Sequence, residues 1–197
     1  MAMVGLERWF MGSPLKKIMQ RFFEFRLFSH FIRSQQIPLH KGRILEIGCG
    51  NGYGLKLISK KYRPYELVGI DIDPTLVGQA QRNCPEARVQ VADVTNLSEQ
   101  SNQFDAVLAF TVFHHIPSWK KALQEVHRVL KKPGLFIVNE LNKRTIDWLE
   151  WIFKIPHPPE ARFAWDEFTA SLQRIGFTVT CQVQFFGAMG FFLCEKM

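Results

Sequence analysis

The stretch ILEIGCGNGYGLKLI, residues 44–58, restricts the possible folds more than any other part of the sequence. An apolar run that holds one acid, Glu46, is followed by four glycines in seven positions and then by a helical pattern. Glycine lets the chain turn sharply and lets a ligand approach the main chain, and the next helix offers its N-terminal amides to that ligand. We therefore predict a strand, a ligand-binding loop and a helix in this order.

Short apolar runs continue to alternate with helical patterns over residues 43–140. Such alternation predicts an α/β fold with a doubly wound, mostly parallel sheet and right-handed crossovers. The predicted strands are RILEIG, ELVGID, RVQVA, FDAVLAF and LFIVNE, and the predicted helices span about 53–62, 74–83 and 118–130. Two lysines, a proline and a glycine at residues 131–134 predict the end of the third helix.

The last third of the chain changes character. It opens with an aromatic tract over residues 141–165 that several prolines interrupt, and we interpret this tract as an insertion that caps the substrate. A helix at about 166–175 follows, and then the apolar runs FTVTCQVQFF and GFFLCEKM. Glycines at positions 187 and 190 suit a hairpin between these two strands. The sheet is therefore predicted to end in an antiparallel C-terminal hairpin.

Composition favours one domain, since 47% of the 197 residues are hydrophobic and can fill a core. Residues 1–42 are interpreted as an N-terminal helical cap, with a helix at 13–34. We find no run of about 18 apolar residues and no cleavage site, so neither a membrane span nor a secretory signal is predicted. The cysteines show no metal-ligand spacing, which predicts free thiols, a cytoplasmic location and no structural metal; they are Cys49, Cys84, Cys181 and Cys194.

Positive charge concentrates near the N-terminus. Residues 1–43 hold eight lysines and arginines against two glutamates, which is most of the net charge of +7. A basic, aromatic helix could contact an anionic membrane surface or nucleic acid, and it could equally be a lid whose aromatic side chains are buried. We prefer the lid and keep a peripheral membrane contact as the alternative.

The spacing of the glycines excludes a dinucleotide-binding loop. That loop reads G-x-G-x-x-G, and its three registers place Tyr53, Leu55 or Leu57 where the third glycine is required. The observed pattern is acid-x-Gly-x-Gly-x-Gly, which begins at Glu46. Here the chain resembles the class I S-adenosylmethionine-dependent methyltransferases over about residues 43–140. The resemblance implies a Rossmann-like sheet of seven strands and S-adenosyl-L-methionine as cofactor.

The resemblance also implies cofactor-binding residues after three strands. Asp71, at the end of ELVGID, would accept the two ribose hydroxyls. Asp93, after RVQVA, would bind the adenine amino group, and the amide of Val94 a ring nitrogen. The main chain near Phe110 would flank the methionyl group. The other implied contacts are Glu46, Gly48, Cys49, Gly50, Gly52, Tyr53 and Ile72. As alternatives, Asp71 and Asp93 could cap helices, and Glu46 could simply orient the loop.

The segment FHHI after the fourth strand looks most like the small-molecule branch typified by the quinone-biosynthesis C-methyltransferases. The aromatic residues of the N-terminal helix and of residues 141–165 favour a hydrophobic or aromatic acceptor. His114 and His115 would lie near the transferred methyl group, and Glu140 would end the fifth strand at the same rim. These three are the candidate catalytic residues, with His115 expected to line the site and to act as a base if one is needed. His157, among prolines, is interpreted as a surface residue.

Functions of other classes stay open. The position of the Asn/Asp-Pro-Pro-aromatic motif of base methylators holds FTVFHH, and we find neither a Pro-Cys pair nor the tetrad of ribose methylators. Nucleic acid is therefore disfavoured as a partner. Residues 110–116 also lack the paired acids that aminopropyl transfer would need. A cofactor-binding protein without turnover is the remaining alternative, and the oligomeric state is undecided.

Overall fold

The computed structural model describes residues 39–154 and 156–197, so the helix predicted at 13–34 lies outside the described residues. Seven strands form a sheet in the order β3-β2-β1-β4-β5-β7-β6. The strands are β1 (Arg43–Ile47), β2 (Glu66–Asp71), β3 (Arg88–Val91), β4 (Phe104–Phe110), β5 (Leu130–Leu141), β6 (Phe177–Phe185) and β7 (Met189–Lys196). The helices are α1 (Tyr53–Tyr62), α2 (Pro74–Asn83), α3 (Trp119–Val129), α4 (Lys143–Phe153) and α5 (Trp165–Ile175), and 3₁₀ turns cover Phe113–His115 and Pro159–Ala161.

The chain divides into two compact units, one ending at Ala92 and the other beginning at Asp93. In the first unit, β2 pairs in parallel with both β1 and β3. In the second unit, β4 and β5 are parallel, while β7 is antiparallel to both β5 and β6. The predicted α/β fold, mostly parallel with an antiparallel C-terminal hairpin, is therefore confirmed. The division into one domain with two caps stays a prediction.

Local signals in the sequence account for several element boundaries. Asp73 caps α2, because its Oδ1 accepts hydrogen bonds from the amides of Thr75 (2.7 Å) and Leu76 (3.4 Å), and Pro74 occupies the first helical position. Burial runs almost unbroken along β1 and β2, as expected of strands covered on both faces. Their sequence therefore reads as continuous apolar runs instead of alternating ones.

The third helix ends within one residue of its predicted end at about 130, but the closing turn predicted at residues 131–134 is absent, because these residues lie in a strand. Helix α3 stops at Val129, and residues 131–134 belong to β5, which begins at Leu130. Leu130 takes an extended conformation and is fully buried, and it pairs with Phe104 of β4. The basic residues in the last turn of α3 are His127 and Arg128. The strand thus begins directly after the helix, and the lysines, proline and glycine predicted to form a turn lie within β5.

A buried cation holds the junction between α3 and β5. Lys196, at the end of β7, is only 4% exposed. Its Nζ donates to the carbonyls of His127 (2.6 Å) and Leu130 (2.7 Å) and to Oδ1 of Asn102 (3.0 Å). These acceptors use all three of its donors, which is the condition for burying an ammonium group at acceptable cost. The C-terminal strand is thereby tied to the point where α3 ends and β5 begins.

Aromatic side chains form the core of the second unit. Phe168 of α5 stacks on Phe163 (ring centroids 4.6 Å apart) and meets Phe113 edge-on at 6.0 Å. Trp119 of α3 lies 4.9 Å from Phe163. Aromatic pairs at these distances add stabilisation beyond the area they bury. Phe163 falls within the predicted aromatic cap, yet it is 1% exposed and belongs to this core.

Replacing Phe168 by alanine should lower the free energy of unfolding by about 3–5 kcal/mol, because a large cavity would open inside the aromatic cluster. Phe186 is the matched control, since it is fully exposed in the hairpin turn and its replacement should change stability by less than about 0.5 kcal/mol. Urea unfolding of both variants measures the difference. Equal effects would contradict the assigned core.

Candidate active site

The carboxylate of Asp71 organises the glycine loop from the end of β2. Its Oδ2 accepts a hydrogen bond from the amide of Gly50 (2.8 Å), and its Oδ1 accepts one from the amide of Asp73 (2.9 Å). Burial raises the pKa of Asp71, while these amide bonds act in the opposite direction. Each carboxylate oxygen can accept a further bond, so this group can hold the loop and still receive a ligand diol. Asp73, and not Asp71, caps α2, so the alternative that Asp71 serves as a helix cap is excluded.

Glu46, inside β1, is a buried carboxyl group with an unsatisfied atom. It is 3% exposed, and its Oε2 has no hydrogen-bond partner among the described residues. Burial, together with the nearby charge of Asp71, raises the pKa of Glu46 well above its ordinary value. Leaving such an atom without a partner is costly unless a ligand supplies a donor. Glu46 is therefore a candidate acceptor for an ammonium or hydroxyl group.

Two glycines of the motif serve packing needs that the sequence alone did not separate. Gly52 has a φ of 79°, and a Cβ there would lie 2.7 Å from the Cα of Ala80 on α2. A Cβ on Gly54 would collide with Oε1 of Glu46. The motif therefore needs Gly52 for the close packing of α1 on α2 and Gly54 to make room for the buried carboxyl group.

The other loop positions differ in exposure. Gly48 and Gly50 have φ values of 63° and 54°, so the loop follows a left-handed path. Cys49 is buried, and burial raises the pKa of its thiol, which argues against a reactive thiolate. Tyr53 is half-buried and donates its amide to Oδ1 of Asn51 (3.2 Å). Ile72, just after Asp71, is exposed.

Two predicted adenine contacts begin the second unit. Asp93 is exposed, and its Oδ1 accepts a hydrogen bond from the amide of Thr95 (2.8 Å), so it caps a turn. Val94 is buried. These positions lie just after β3, at the start of the connection to β4, and their contact with adenine stays a prediction.

Glu140 holds the turn that carries the two histidines. The side chain is completely buried, and its Oε1 accepts from the amides of Val112 (2.5 Å) and Phe113 (2.6 Å). Its Oε2 accepts from Nδ1 of His114 (2.7 Å) and the amide of Leu141 (3.2 Å). Burial raises the pKa of Glu140 to about 7, against the lowering effect of these amides. A carboxyl group so enclosed is suited to positioning the Phe113–His115 turn and not to touching an acceptor.

Three imidazoles meet in the second unit. His114 is buried and His115 exposed, and their ring centroids lie 4.1 Å apart. His157 stacks on His115 at 5.2 Å and lies 5.5 Å from His114. The interpretation of His157 as a surface residue is wrong, since its ring is half-buried in this cluster and its Nδ1 is fully enclosed. Sequence reasoning missed the cluster because helices α3 and α4 and strand β5 separate His157 from the other two histidines.

Asn139 is a polar residue that the sequence did not single out. It is 1% exposed at the end of β5, beside Glu140, and neither atom of its amide has a partner among the described residues. Its carbonyl accepts the amide of Thr111 (2.9 Å), and it pairs in the sheet with the half-buried Phe110. The position next to a predicted cofactor contact makes Asn139 a candidate polar contact for a ligand.

The aromatic tract at 141–165 contains a helix that was not predicted. Asn142 caps α4 by accepting the amide of Thr145 (2.9 Å), and the helix exposes Trp148 and Trp151, at 57% and 71%. Arg162 binds Oδ1 of Asp147 on that helix (2.7 Å) and the carbonyl of His157 (2.9 Å). The tract is thus an ordered helix and loop, whose role as a substrate cap stays a prediction.

Comparison with known proteins places these features in a family. Residues 45–138 match the family model described as a methyltransferase domain. The chain is 29% identical to the ubiquinone biosynthesis O-methyltransferase of Azorhizobium caulinodans over 157 residues, covering 73% of this chain and 58% of that protein. It is 30% identical to the fatty-acid O-methyltransferase of Mycolicibacterium smegmatis over 118 residues, covering 59% of this chain and 43% of the relative. The chain spans roughly half the length of these curated relatives.

Solved structures agree on the fold. A SAM-dependent methyltransferase from Aquifex aeolicus superposes with a TM-score of 0.76 at 18% identity, covering both chains completely. The PH0226 protein of Pyrococcus horikoshii gives 0.74 at 19% identity, covering 95% of this chain and 93% of the other. The family match over residues 45–138, the methyltransferase relatives and the fold support a class I S-adenosylmethionine-dependent methyltransferase, as the glycine motif predicted, with S-adenosyl-L-methionine as its cofactor.

Replacing Gly54 by alanine should destabilise the fold by about 1–3 kcal/mol, since the added methyl group would push against the buried carboxyl group of Glu46. Gly78→Ala is the matched control, because a Cβ there meets only the end of the Arg82 side chain at 3.8 Å. Inside helix α2 this control should stabilise the protein by about 0.5–1 kcal/mol. Urea unfolding should therefore show a lower free energy of unfolding for Gly54→Ala and a higher one for Gly78→Ala. Changes of the same sign in both variants would contradict the crowding at Gly54.

The pH dependence of stability should report the burial of Glu46. The folded state holds this proton more tightly than the unfolded state, so the stabilising contribution is complete below the ordinary pKa of 4.5 and is lost as the pH rises through the raised value. Glu46→Gln cannot ionise and should therefore gain stability relative to wild type as the pH rises. Urea unfolding at several pH values tests this, with the exposed Glu160→Gln as control. A constant difference between Glu46→Gln and wild type would contradict the assignment.

Proposed function

We propose that this chain is an S-adenosylmethionine-dependent methyltransferase that acts on a small, hydrophobic or aromatic acceptor. One observation carries the proposal: the first unit places a loop-holding aspartate and a buried glutamate with an unsatisfied oxygen at one glycine motif. Asp71 and Glu46 are those two residues. Their arrangement suits a ligand with a diol at one end and an ammonium group at the other.

The residues of the first unit would hold the cofactor as follows. Asp71 would accept the ribose hydroxyls with the capacity left beside its two amide bonds. Glu46 would accept the ammonium group of the methionyl part through Oε2. The amides of the loop after Gly48 would meet the carboxylate of that part. In the second unit, the resemblance assigns adenine contacts to Asp93 and Val94 and a contact with the methionyl part to Phe110.

When bound, S-adenosylmethionine supplies an electrophilic methyl group, and its thioether leaving group needs no acid. The work of the protein is then mainly to orient the acceptor and exclude water. Glu140 contributes by fixing the Phe113–His115 turn through the amides of Val112 and Phe113 and the ring of His114. His115 is exposed on that turn and would take the proton of a phenol or an acidic carbon.

Two observations support an acceptor of apolar character. The named relatives are a ubiquinone biosynthesis O-methyltransferase and a fatty-acid O-methyltransferase. Helix α4 of the second unit exposes Trp148 and Trp151 beside the basic residues Lys143, Arg144 and Lys154. Exposed tryptophans among cations suit a lipid-bearing acceptor or a membrane surface. A lipid methyltransferase at a membrane surface is therefore the second candidate function. No described helix is long and apolar enough to cross a membrane.

Asp71→Ala should weaken the binding of S-adenosylhomocysteine by about 1.5–3 kcal/mol, the range for charge-assisted hydrogen bonds. Asp166→Asn, an exposed acid in the first turn of α5, is the control and should bind as wild type does. Isothermal titration calorimetry gives both values, with circular dichroism to verify that each variant is folded. Unchanged affinity in Asp71→Ala would show that the ribose lies elsewhere.

Transfer of labelled methyl groups tests the function itself. Purified protein should be offered labelled S-adenosylmethionine with quinols, phenols, fatty acids, aminolipids, amines and RNA in separate reactions. Label in a quinol or phenol supports the proposal, and label in lipids supports the second candidate. Label in RNA alone would overturn both. Tight binding of the cofactor without transfer to any class would favour a binding protein that has no turnover.

A further inference from the structure

We propose that His114, His115 and His157 form a binding site for a divalent transition-metal ion of the zinc type. One ring nitrogen from each of these residues can be chosen so that the three atoms lie within 4.8 Å of one another. The site goes beyond methyl transfer, and metal binding can be measured whether or not the chain turns over. The proposed site also departs from the sequence-based prediction of no structural metal, because that prediction depended on the spacing of the cysteines.

The geometry of the cluster suits three ligands and an open position. Nitrogen ligands lie about 2.0–2.1 Å from zinc, which places ligand atoms of a tetrahedral site about 3.3 Å apart. Ring nitrogens that lie as much as 4.8 Å apart must therefore move about 1.5 Å closer to one another to bind the ion. His115 is exposed, and His157 lies on a loop between prolines, so the two rings approach the proposed ion from different segments of the chain. Three imidazoles with one open position form a recurrent catalytic zinc arrangement.

The surroundings of His114 resemble the support of a metal ligand. Its Nδ1 lies 2.7 Å from Oε2 of the fully buried Glu140, so Nε2 is the nitrogen that would bind the ion. A carboxylate that orients a metal-binding histidine in this way fixes its tautomer and raises its basicity. Glu140 is itself held by three backbone amides, which makes this support rigid.

His157 supplies the independent observation that points to a ligand. Its Nδ1 is fully enclosed and has no hydrogen-bond partner among the described residues. Its carbonyl accepts Nη2 of Arg162 (2.9 Å), and Arg162 in turn binds Asp147 of α4, so the loop is anchored beside the other two rings. An enclosed imidazole nitrogen without a partner is an unfavourable arrangement that a metal ion would relieve.

The donor set selects the kind of ion. Imidazole nitrogen suits zinc, copper, nickel and iron, whereas magnesium and calcium prefer oxygen ligands. No carboxylate belongs to the cluster of candidate ligands in the described residues. The open position would accept an oxygen atom of an acceptor and favour its deprotonated form. His115 would then act as a ligand in the metal-loaded protein, and as a proton acceptor solely in the metal-free protein.

Titration of untagged protein with Zn²⁺ and Co²⁺ tests the site. Wild type should bind one ion with a visible Co²⁺ spectrum of imidazole ligation and without thiolate charge-transfer bands. His115→Gln and His157→Gln should each weaken binding by at least about tenfold, and Glu140→Gln by about 10–100-fold. His40→Gln is the matched control, because His40 is exposed and pairs with the carbonyl of Tyr62 outside the cluster. It should bind as wild type does.

The outcomes separate cleanly. His115 is exposed, so His115→Gln should remain folded, and circular dichroism verifies this before titration. Zinc should also raise the Tm of wild type and of His40→Gln but not of the two cluster variants. Absence of saturable binding in wild type, equal binding by His115→Gln, or a cobalt spectrum of thiolate ligation would each overturn the proposal. None of these results depends on whether methyl transfer is observed.

Discussion

The hydrogen bonds from the amides of Gly50 and Asp73 to the carboxylate of Asp71 control the shape of the first unit's ligand loop. They join the turn after β1 to the end of β2, so the left-handed path of the loop is set by a side chain on the neighbouring strand. The same carboxylate is the group that the family motif associates with the cofactor ribose. Loop geometry and ligand recognition are therefore coupled through one residue.

Buried carboxyl groups perform two different tasks in this chain. Glu46 keeps an oxygen without a partner and is sheltered by Gly54, which suits a group that waits for a donor from a ligand. Glu140 has both oxygens occupied by amides and by His114, which suits a group that holds a turn in place. Desolvation raises the pKa of both groups, so the pKa shift alone does not distinguish binding from positioning. The two roles are distinguished by whether the carboxylate oxygens already have hydrogen-bond partners.

Much of the fold could be predicted because local and global preferences agree. The bounds predicted for α1 and α2 and for the strands ELVGID and FDAVLAF agree with the structure, since caps and apolar runs mark them clearly. The start of β5 at Leu130 was missed because the contacts that define it, those of Leu130 and Lys196, come from strands that are distant in sequence. Helix α4 was missed because its many aromatic residues and the prolines after it concealed the cap at Asn142.

The residues of the candidate site likewise divide into those that are close in sequence and those that only the fold brings together. The glycine motif and Asp71 were found because strand, loop and helix are contiguous in sequence. The imidazole cluster was not found, because His157 reaches it through the fold and no spacing rule connects it to His114 and His115. The need for glycine at position 54 likewise became visible only with the side chain of Glu46 in place.

A crystal structure of the chain with S-adenosylhomocysteine tests the central claim most directly, namely that one glycine motif and one aspartate bind a sulfur-containing nucleoside. We expect the ribose hydroxyls of the ligand within hydrogen-bond distance of Asp71 and its ammonium group within that distance of Glu46. A nucleoside bound away from both carboxylates, or a loop that closes on its own side chains and excludes the ligand, would contradict it.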